Sequence, residues 1–78
     1  SSASLAQIQG IMRDVFDNDS IVITLETTAK DVAEWDSMNH VRLIVAIEQD
    51  LGIELPMERV NELRNVGDLV VLVDETRG

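Results

Sequence analysis

The apolar residues near the start of the chain recur at the spacing of an amphipathic helix. Between residues 5 and 16 they return every three or four positions, which places them on one helical face. These residues are Leu5, Ile8, Ile11, Met12, Val15 and Phe16. The pattern predicts a first helix over about residues 4–16, with residues 1–4 frayed at its start.

The longest periodic run predicts a second helix over about residues 37–50. Asp36 or Ser37 can cap its start, because the side-chain oxygen of either residue accepts from free N–H groups of the first turn. Gly52 is the expected cap at its end. The residues expected to point inward are Val41, Ile44, Ile47 and Leu51, with Met38 and Val45 alongside.

Two shorter segments follow Pro56, which favours extended backbone at its predecessor. Residues 57–63 predict a short third helix with Val60 and Leu63 inward. Residues 66–73 are rich in valine and would suit a buried strand, but they also follow helical spacing and nothing else supplies a sheet. We therefore expect a fourth helix there and fraying over residues 75–78.

The segment between the first two helices has no helical period. Residues 21–23 have strand propensity, but a lone strand lacks a partner, so we expect a long loop with Val32 packed inward. Residues 17–20 resemble the opening of a calcium loop, but Val22 and Thr28 stand where that loop requires a glycine and a closing glutamate, so we reject a calcium site. Trp35 ends the segment, and we favour a packing role for it over that of a partner-facing anchor. The prediction is an all-α four-helix bundle, with residues 1–78 forming one domain.

Charge and composition limit the classes of molecule that the protein can bind. The chain has 78 residues, 15 acidic against 6 basic, and a formal net charge of -9. Such a chain repels nucleic acids and anionic membranes, and it favours protein partners with basic docking patches. It contains no cysteine, so it has neither a disulfide framework nor a thiolate metal site. No leader or membrane-length apolar run is visible, so we expect a cytoplasmic protein, and we expect a monomer.

Ser37 is the main candidate for chemistry. A serine at the start of a helix lies beside free backbone N–H groups and the positive end of the helix dipole. That is a favourable place to hold a phosphate, although the charge of Asp36 partly offsets it. A phosphodiester on Ser37 would meet partial positive charge at this position.

The segment Asp36-Ser37-Met38, with the helix and the Gly52-Ile53-x-Leu55-Pro56 exit after it, resembles the acyl carrier proteins and the carrier domains of polyketide and peptide synthases. The pattern runs without a gap from Ser37 to the end of the chain, and the first helix matches in character. The resemblance implies that Ser37 carries a 4′-phosphopantetheine arm within a motif completed by Asp36 and Met38. A phosphopantetheinyl transferase would attach the arm, whose thiol would then carry acyl groups as thioesters.

Members of this family commonly bind the acyl chain in a groove between the second and third helices. The residues that would line this groove are Val41, Ile47, Leu55, Val60 and Leu63. Partner enzymes that load and transfer acyl groups would dock along the same two helices through basic patches. The candidate docking residues are Trp35, His40, Arg42, Glu48, Asp50, Glu58 and Glu62.

The chain departs from the family pattern next to the serine. Asn39 and Arg42 stand where acidic residues are frequent, and His40 can add a further positive charge. This favours a discrete carrier of a specialised pathway, such as polyketide or antibiotic biosynthesis, and leaves fatty-acid biosynthesis as a compatible alternative.

Other functional classes fit less well. Ser37 and His40 lie one helical turn apart, but the chain has a single histidine, no Gly-x-Ser-x-Gly elbow and too little length for a hydrolase sheet. One histidine with scattered acids does not give metal-ligand spacing. We therefore assign no catalytic or metal-binding residue. An aminoacyl or peptidyl carrier, or an acidic helical adaptor without a prosthetic group, remains as an alternative.

Overall fold

A computed structural model describes residues 2–78 and confirms the all-α prediction. Its four helices are α1 (Ser2–Val15), α2 (Ser37–Leu51), α3 (Met57–Val60) and α4 (Val66–Arg77). The long loop between α1 and α2 contains one turn of 3-10 helix at Ala29–Asp31. No strand occurs in this part of the chain.

Both ends of the described chain are more ordered than expected. We expected fraying over residues 1–4, but α1 already begins at Ser2, and the buried Ser4 hydroxyl donates to the Asp74 carboxylate. Residue 1 lies outside the described residues. Fraying over residues 75–78 was also a wrong prediction, because α4 continues to Arg77. The Arg77 guanidinium donates to the Gln7 side chain on α1 at 2.7 Å. This hydrogen bond joins the first and last helices.

The buried face of α2 is rotated from the predicted one. Leu43, Ile44 and Ile47 are buried, whereas Val41 is 59% exposed and Met38 is 79% exposed. Each residue turns a helix by about 100°, so Val41 lies well away from the direction of Ile47. Val45, also expected beside the core, is 43% exposed. The predicted inward positions of Val41, Val45 and Met38 were therefore wrong.

The long loop packs Val32 inward as predicted, but Val22 and Leu25 of the same loop are exposed. Ile21, Ile23 and Val32 are buried in the core. The Arg13 Nε of α1 donates to the Ile21 carbonyl at 2.7 Å. The loop therefore closes one end of the bundle while its last residues lead into α2.

A close backbone contact joins the loop to α4. The Gly67 N–H donates to the Leu25 carbonyl at 2.7 Å, and the neighbouring Val66 N–H donates to the Thr27 carbonyl at 2.8 Å. A Cβ at position 67 would lie 2.9 Å from the Leu25 oxygen. Gly67 therefore allows an approach that any side chain would obstruct.

The connection from α2 to α4 contains only a short helix. Gly52 ends α2 with a left-handed φ of 65°, as predicted. The third helix is one turn long and stops at Val60 rather than at position 63. Val60 is buried and Leu63 is half-buried, so both still face the bundle.

Candidate functional site

The local structure around Ser37 depends on the Asp36 cap. Asp36 has extended backbone angles, and its Oδ1 accepts from the Asn39 N–H at 2.8 Å. Of the two predicted caps, Asp36 is therefore the one used. Ser37 is the first residue of α2, and its side chain is exposed.

The start of α2 has unused hydrogen-bonding capacity. Within residues 2–78, the N–H groups of Ser37 and Met38 donate to no protein acceptor, and the Ser37 hydroxyl forms no hydrogen bond, not even to His40. These donors lie at the positive end of a 15-residue helix. An exposed hydroxyl beside two free donors fits a phosphate ester on Ser37.

Asn39 and His40 hold the residues that precede the serine. The Asn39 Nδ2 donates to the Glu34 carbonyl at 2.8 Å, which ties the end of the loop to the first turn of α2. The Trp35 Nε1 donates to the His40 Nδ1 at 3.0 Å, and the two rings stack with centroids 6.0 Å apart. The backbone on either side of Ser37 is thus held by side chains of the next helical turn.

The contact between Trp35 and His40 defines the role of each residue. Trp35 is 7% exposed, which agrees with the packing interpretation and contradicts the alternative of a partner-facing anchor. An indole N–H can only donate, so the His40 Nδ1 must accept and the proton of the neutral ring lies on Nε2. The sequence contained both residues but no local signal for their contact.

A cleft of about 580 Å³ opens beside Ser37. Of the five residues predicted to line an acyl groove, Val41, Val60 and Leu63 are in its wall. Ile47 and Leu55 are buried in the core and do not line this cleft, so their role in holding an acyl chain stays a prediction. The other lining residues are Ala29, Trp35, Asp36, Ser37, His40, Asn61, Arg64 and Asn65, of which the polar ones after α3 were not anticipated from the sequence.

The predicted docking residues lie in different environments. Arg42, Asp50, Glu58 and Glu62 are exposed, as a docking surface requires. Glu48 is half-buried, and its Oε2 accepts from the Leu55 N–H at 2.8 Å, so it connects α2 to the segment before α3. That contact gives Glu48 a structural role that the sequence pattern did not indicate.

Neither a metal site nor a membrane-spanning segment is found in the part of the chain that the structure describes. No group of three or more histidine, cysteine, aspartate or glutamate residues is placed to hold a metal ion there. None of the four helices is long and apolar enough to cross a membrane.

Comparison with known proteins identifies the family. The family model described as the phosphopantetheine attachment site matches residues 6–73. The acyl carrier protein of Helicobacter acinonychis is 34% identical over 76 residues, which is 96% of each chain. The chain belongs to the acyl carrier protein family. A relative from Clostridium perfringens, also an acyl carrier protein, is 33% identical over 69 residues, covering 88% of this carrier and 91% of that one.

A solved structure agrees with this assignment. The solution structure of a holo acyl carrier protein from Geobacter metallireducens is 44% identical, with a TM-score of 0.88 over 95% of this carrier and 85% of that chain. Proteins of this family are carriers rather than enzymes, and they work with the enzymes of acyl pathways. The cofactor is 4′-phosphopantetheine, a flexible arm whose terminal thiol holds acyl groups as thioesters.

Proposed function

We propose that Ser37 is the attachment point of the 4′-phosphopantetheine arm and that the chain carries acyl intermediates to partner enzymes as thioesters. The observation that carries this proposal is the exposed Ser37 hydroxyl at the start of α2, beside two free N–H donors and a cleft. Tethering the intermediate keeps it at a high local concentration near each active site. Residues 1–78 act as one carrier domain and as a monomer.

The neighbours of Ser37 have distinct roles in this proposal. Asp36 sets the geometry of the first turn through its hydrogen bond to the Asn39 N–H. Met38 is 79% exposed, so its side chain is available to the phosphopantetheinyl transferase that attaches the arm. The two residues thus position the serine and contact the transferase, respectively.

Partner enzymes dock along α2 and α3. Met38, Val41 and Val45 form an exposed apolar strip on the side of α2 away from the core. Exposed acids at Asp50 and Glu58, together with Glu62, suit basic patches on enzymes that load and transfer acyl groups. Apolar contact near the serine and charge at a distance would together set the affinity and the rate of association.

The charge of the surface around the start of α2 supports a role in a specialised pathway. Arg42 is exposed, and its Nη1 donates to the Asn39 Oδ1 at 3.0 Å, so this surface carries a cation instead of the acids frequent in the family. A transferase or synthase that expects an acidic surface here would meet the wrong charge. We therefore favour polyketide-type or related specialised biosynthesis, including that of antibiotics, over primary fatty-acid synthesis.

The test is the intact mass after incubation with coenzyme A, magnesium and a broad-specificity phosphopantetheinyl transferase. We expect a gain of one phosphopantetheinyl group in the unaltered chain and in Ser20→Ala, an exposed serine of the loop, but no gain in Ser37→Ala. Ser37 is not the cap of α2, so its alanine variant should keep the circular dichroism spectrum and the Tm of the unaltered chain.

A negative result must be followed with the transferases of the source organism, because the Arg42 surface can require a dedicated enzyme. No gain with these enzymes either would overturn the carrier proposal. An acidic adaptor without a prosthetic group would then be the better description.

A further inference from the structure

Two side-chain contacts join the loop to the first turn of α2 next to Ser37. The Asn39 Nδ2 donates to the Glu34 carbonyl at 2.8 Å, and the His40 Nδ1 accepts from the Trp35 Nε1 at 3.0 Å. An amide side chain does not titrate, whereas a histidine side chain changes its charge between pH 5 and 8. Of these two contacts, only the one made by His40 can therefore respond to pH.

The hydrogen bond between Trp35 and His40 requires a neutral imidazole. A protonated imidazole carries a hydrogen on both nitrogens and has no acceptor left. The Trp35 Nε1–H and the His40 Nδ1–H would then face each other across 3.0 Å, so one of the two rings must move. Trp35 is 7% exposed, and an indole that stayed in place would leave a buried N–H unpaired, which is unfavourable.

The imidazole is accessible to protons from solvent. His40 is half-buried, and it lines the cleft that opens beside Ser37. The ring can therefore change its charge without unfolding of the bundle.

Charged groups of both signs surround this imidazole. Asp36 is the one acid among the described residues that line the cleft, and it lies one helical turn before the imidazole on α2. The Glu34 carboxylate of the loop is already bonded to the Asn18 Nδ2 at 2.8 Å. Arg64, from the segment after α3, lines the same cleft, and Arg42 follows on α2. An imidazolium that leaves the indole is therefore drawn toward Asp36, the residue that caps α2.

We propose that His40 is a positioning residue for Ser37 and that only its neutral ring holds the loop in the geometry that the phosphopantetheinyl transferase uses. Trp35 lies two residues before Ser37, and the cap Asp36 lies between them. Protonation of His40 releases Trp35 and disturbs the cap, so attachment of the arm slows as the pH falls. This inference rests on the proposed attachment at Ser37 and names how that same site is regulated.

The first test follows the contact in the carrier without its arm, independently of any transferase. Trp35 is the only tryptophan and His40 the only histidine in the chain, so indole fluorescence and the indole N–H NMR signal report on this contact. Between pH 8 and pH 5 we expect the emission to shift to the red and the N–H signal to move with one midpoint. His40→Asn should show neither change, because the amide oxygen of the new side chain accepts at every pH.

The second test measures kcat/KM for phosphopantetheine transfer over the same pH range. Dividing the value for the unaltered chain by that for His40→Asn removes the pH dependence of the transferase itself. One pH unit below the fluorescence midpoint, about one molecule in ten keeps the neutral ring, so this ratio should fall about tenfold from its value at pH 8.

A change at Trp35 separates positioning of the serine from direct contact between His40 and the transferase. Trp35→Phe keeps the imidazole but removes the N–H that it accepts, so its kcat/KM relative to His40→Asn should not fall with pH. Arg42→Ala is the matched control for charge, because Arg42 bonds Asn39 rather than Trp35. It should keep the full fluorescence transition, and circular dichroism checks that each variant is folded at each pH.

Four outcomes would overturn the inference. Fluorescence and NMR signals of the unaltered chain that do not change between pH 8 and pH 5 would show that His40 does not control Trp35. Equal pH–rate profiles for the unaltered chain and His40→Asn would show that the contact does not position Ser37. A Trp35→Phe carrier that still loses rate on acidification would show that His40 acts on the transferase directly. A chain that accepts no arm at any pH would overturn the proposed function as well, whatever the fluorescence shows.

Discussion

The two faces of α2 carry similar side chains but lie in different environments. Leu43, Ile44 and Ile47 are buried, whereas Met38 and Val45, on the same 15-residue helix, are exposed. The first face packs into the bundle, and the second is exposed to solvent. The difference shows that apolar residues on this helix serve two purposes. Those that are buried stabilise the bundle, and those that are exposed are available to contact partner proteins.

The sharpest test of this comparison removes a side chain from each face. Ile47→Ala should lower the free energy of unfolding by about 2–5 kcal/mol, because it leaves a cavity in the core. Val45→Ala should change it by no more than about 0.5 kcal/mol, because the side chain is already 43% exposed. Urea denaturation measures both, and equal losses would contradict the assignment of the faces.

The same contrast between crowded and open helix surfaces applies to two glycines. Gly67→Ala should destabilise the fold by about 1–3 kcal/mol, because its Cβ would press on the Leu25 carbonyl oxygen at 2.9 Å. Gly10→Ala should stabilise it by up to about 1 kcal/mol, since nothing lies within 4 Å and alanine favours the helix. Thermal unfolding of both variants gives the sign of each effect, and a stabilising Gly67→Ala would rule out the close contact with the loop.

A third comparison concerns two adjacent polar contacts at the serine end of α2. His40→Ala should cost about 1–2 kcal/mol, because the buried Trp35 loses the acceptor for its Nε1 proton. Arg42→Ala removes an exposed contact to Asn39 and should cost no more than about 0.5 kcal/mol.

Tryptophan fluorescence gives a second measurement for this pair, because Trp35 is the only tryptophan in the chain. The emission should shift to the red in His40→Ala and stay unchanged in Arg42→Ala. An unchanged spectrum in both variants would mean that the indole does not depend on His40.

The smallest expected effect concerns recognition by the transferase. Met38→Ala should lower kcat/KM for phosphopantetheine transfer by about fivefold, or about 1 kcal/mol, while leaving stability unchanged. Val22→Ala is the control, because Val22 is 72% exposed but lies in the loop and does not line the cleft. An equal loss in both variants would show that the exposed strip on α2 has no special role.

Local signals account for the parts of the fold that were predicted correctly. Apolar periodicity located the first two helices, and the cap residues Asp36 and Gly52 marked the start and end of α2. The placement of Ser37 at the start of that helix followed from the same signals. Each depends on a few neighbouring residues whose preferences act even before the chain folds.

Contacts between distant residues explain what was missed. The helical ends at Ser4 and Arg77 are held by partners 70 residues away, so nothing nearby in the sequence marks them as ordered. The unforeseen Trp35–His40 hydrogen bond joins residues only five apart, but it forms only when the residues before α2 fold onto the first turn of that helix.

The sequence by itself determined that the chain forms helices, where α2 begins and ends, and that Ser37 lies at its start, because these features are set by local preferences. Only the tertiary structure decided which face of α2 is buried, since apolar residues occur on more than one side of that helix and the neighbouring elements select one of them. The same packing placed Ile47 and Leu55 in the core rather than in the cleft, and brought Ser37 and Arg64, 27 positions apart in the sequence, to the wall of one cleft.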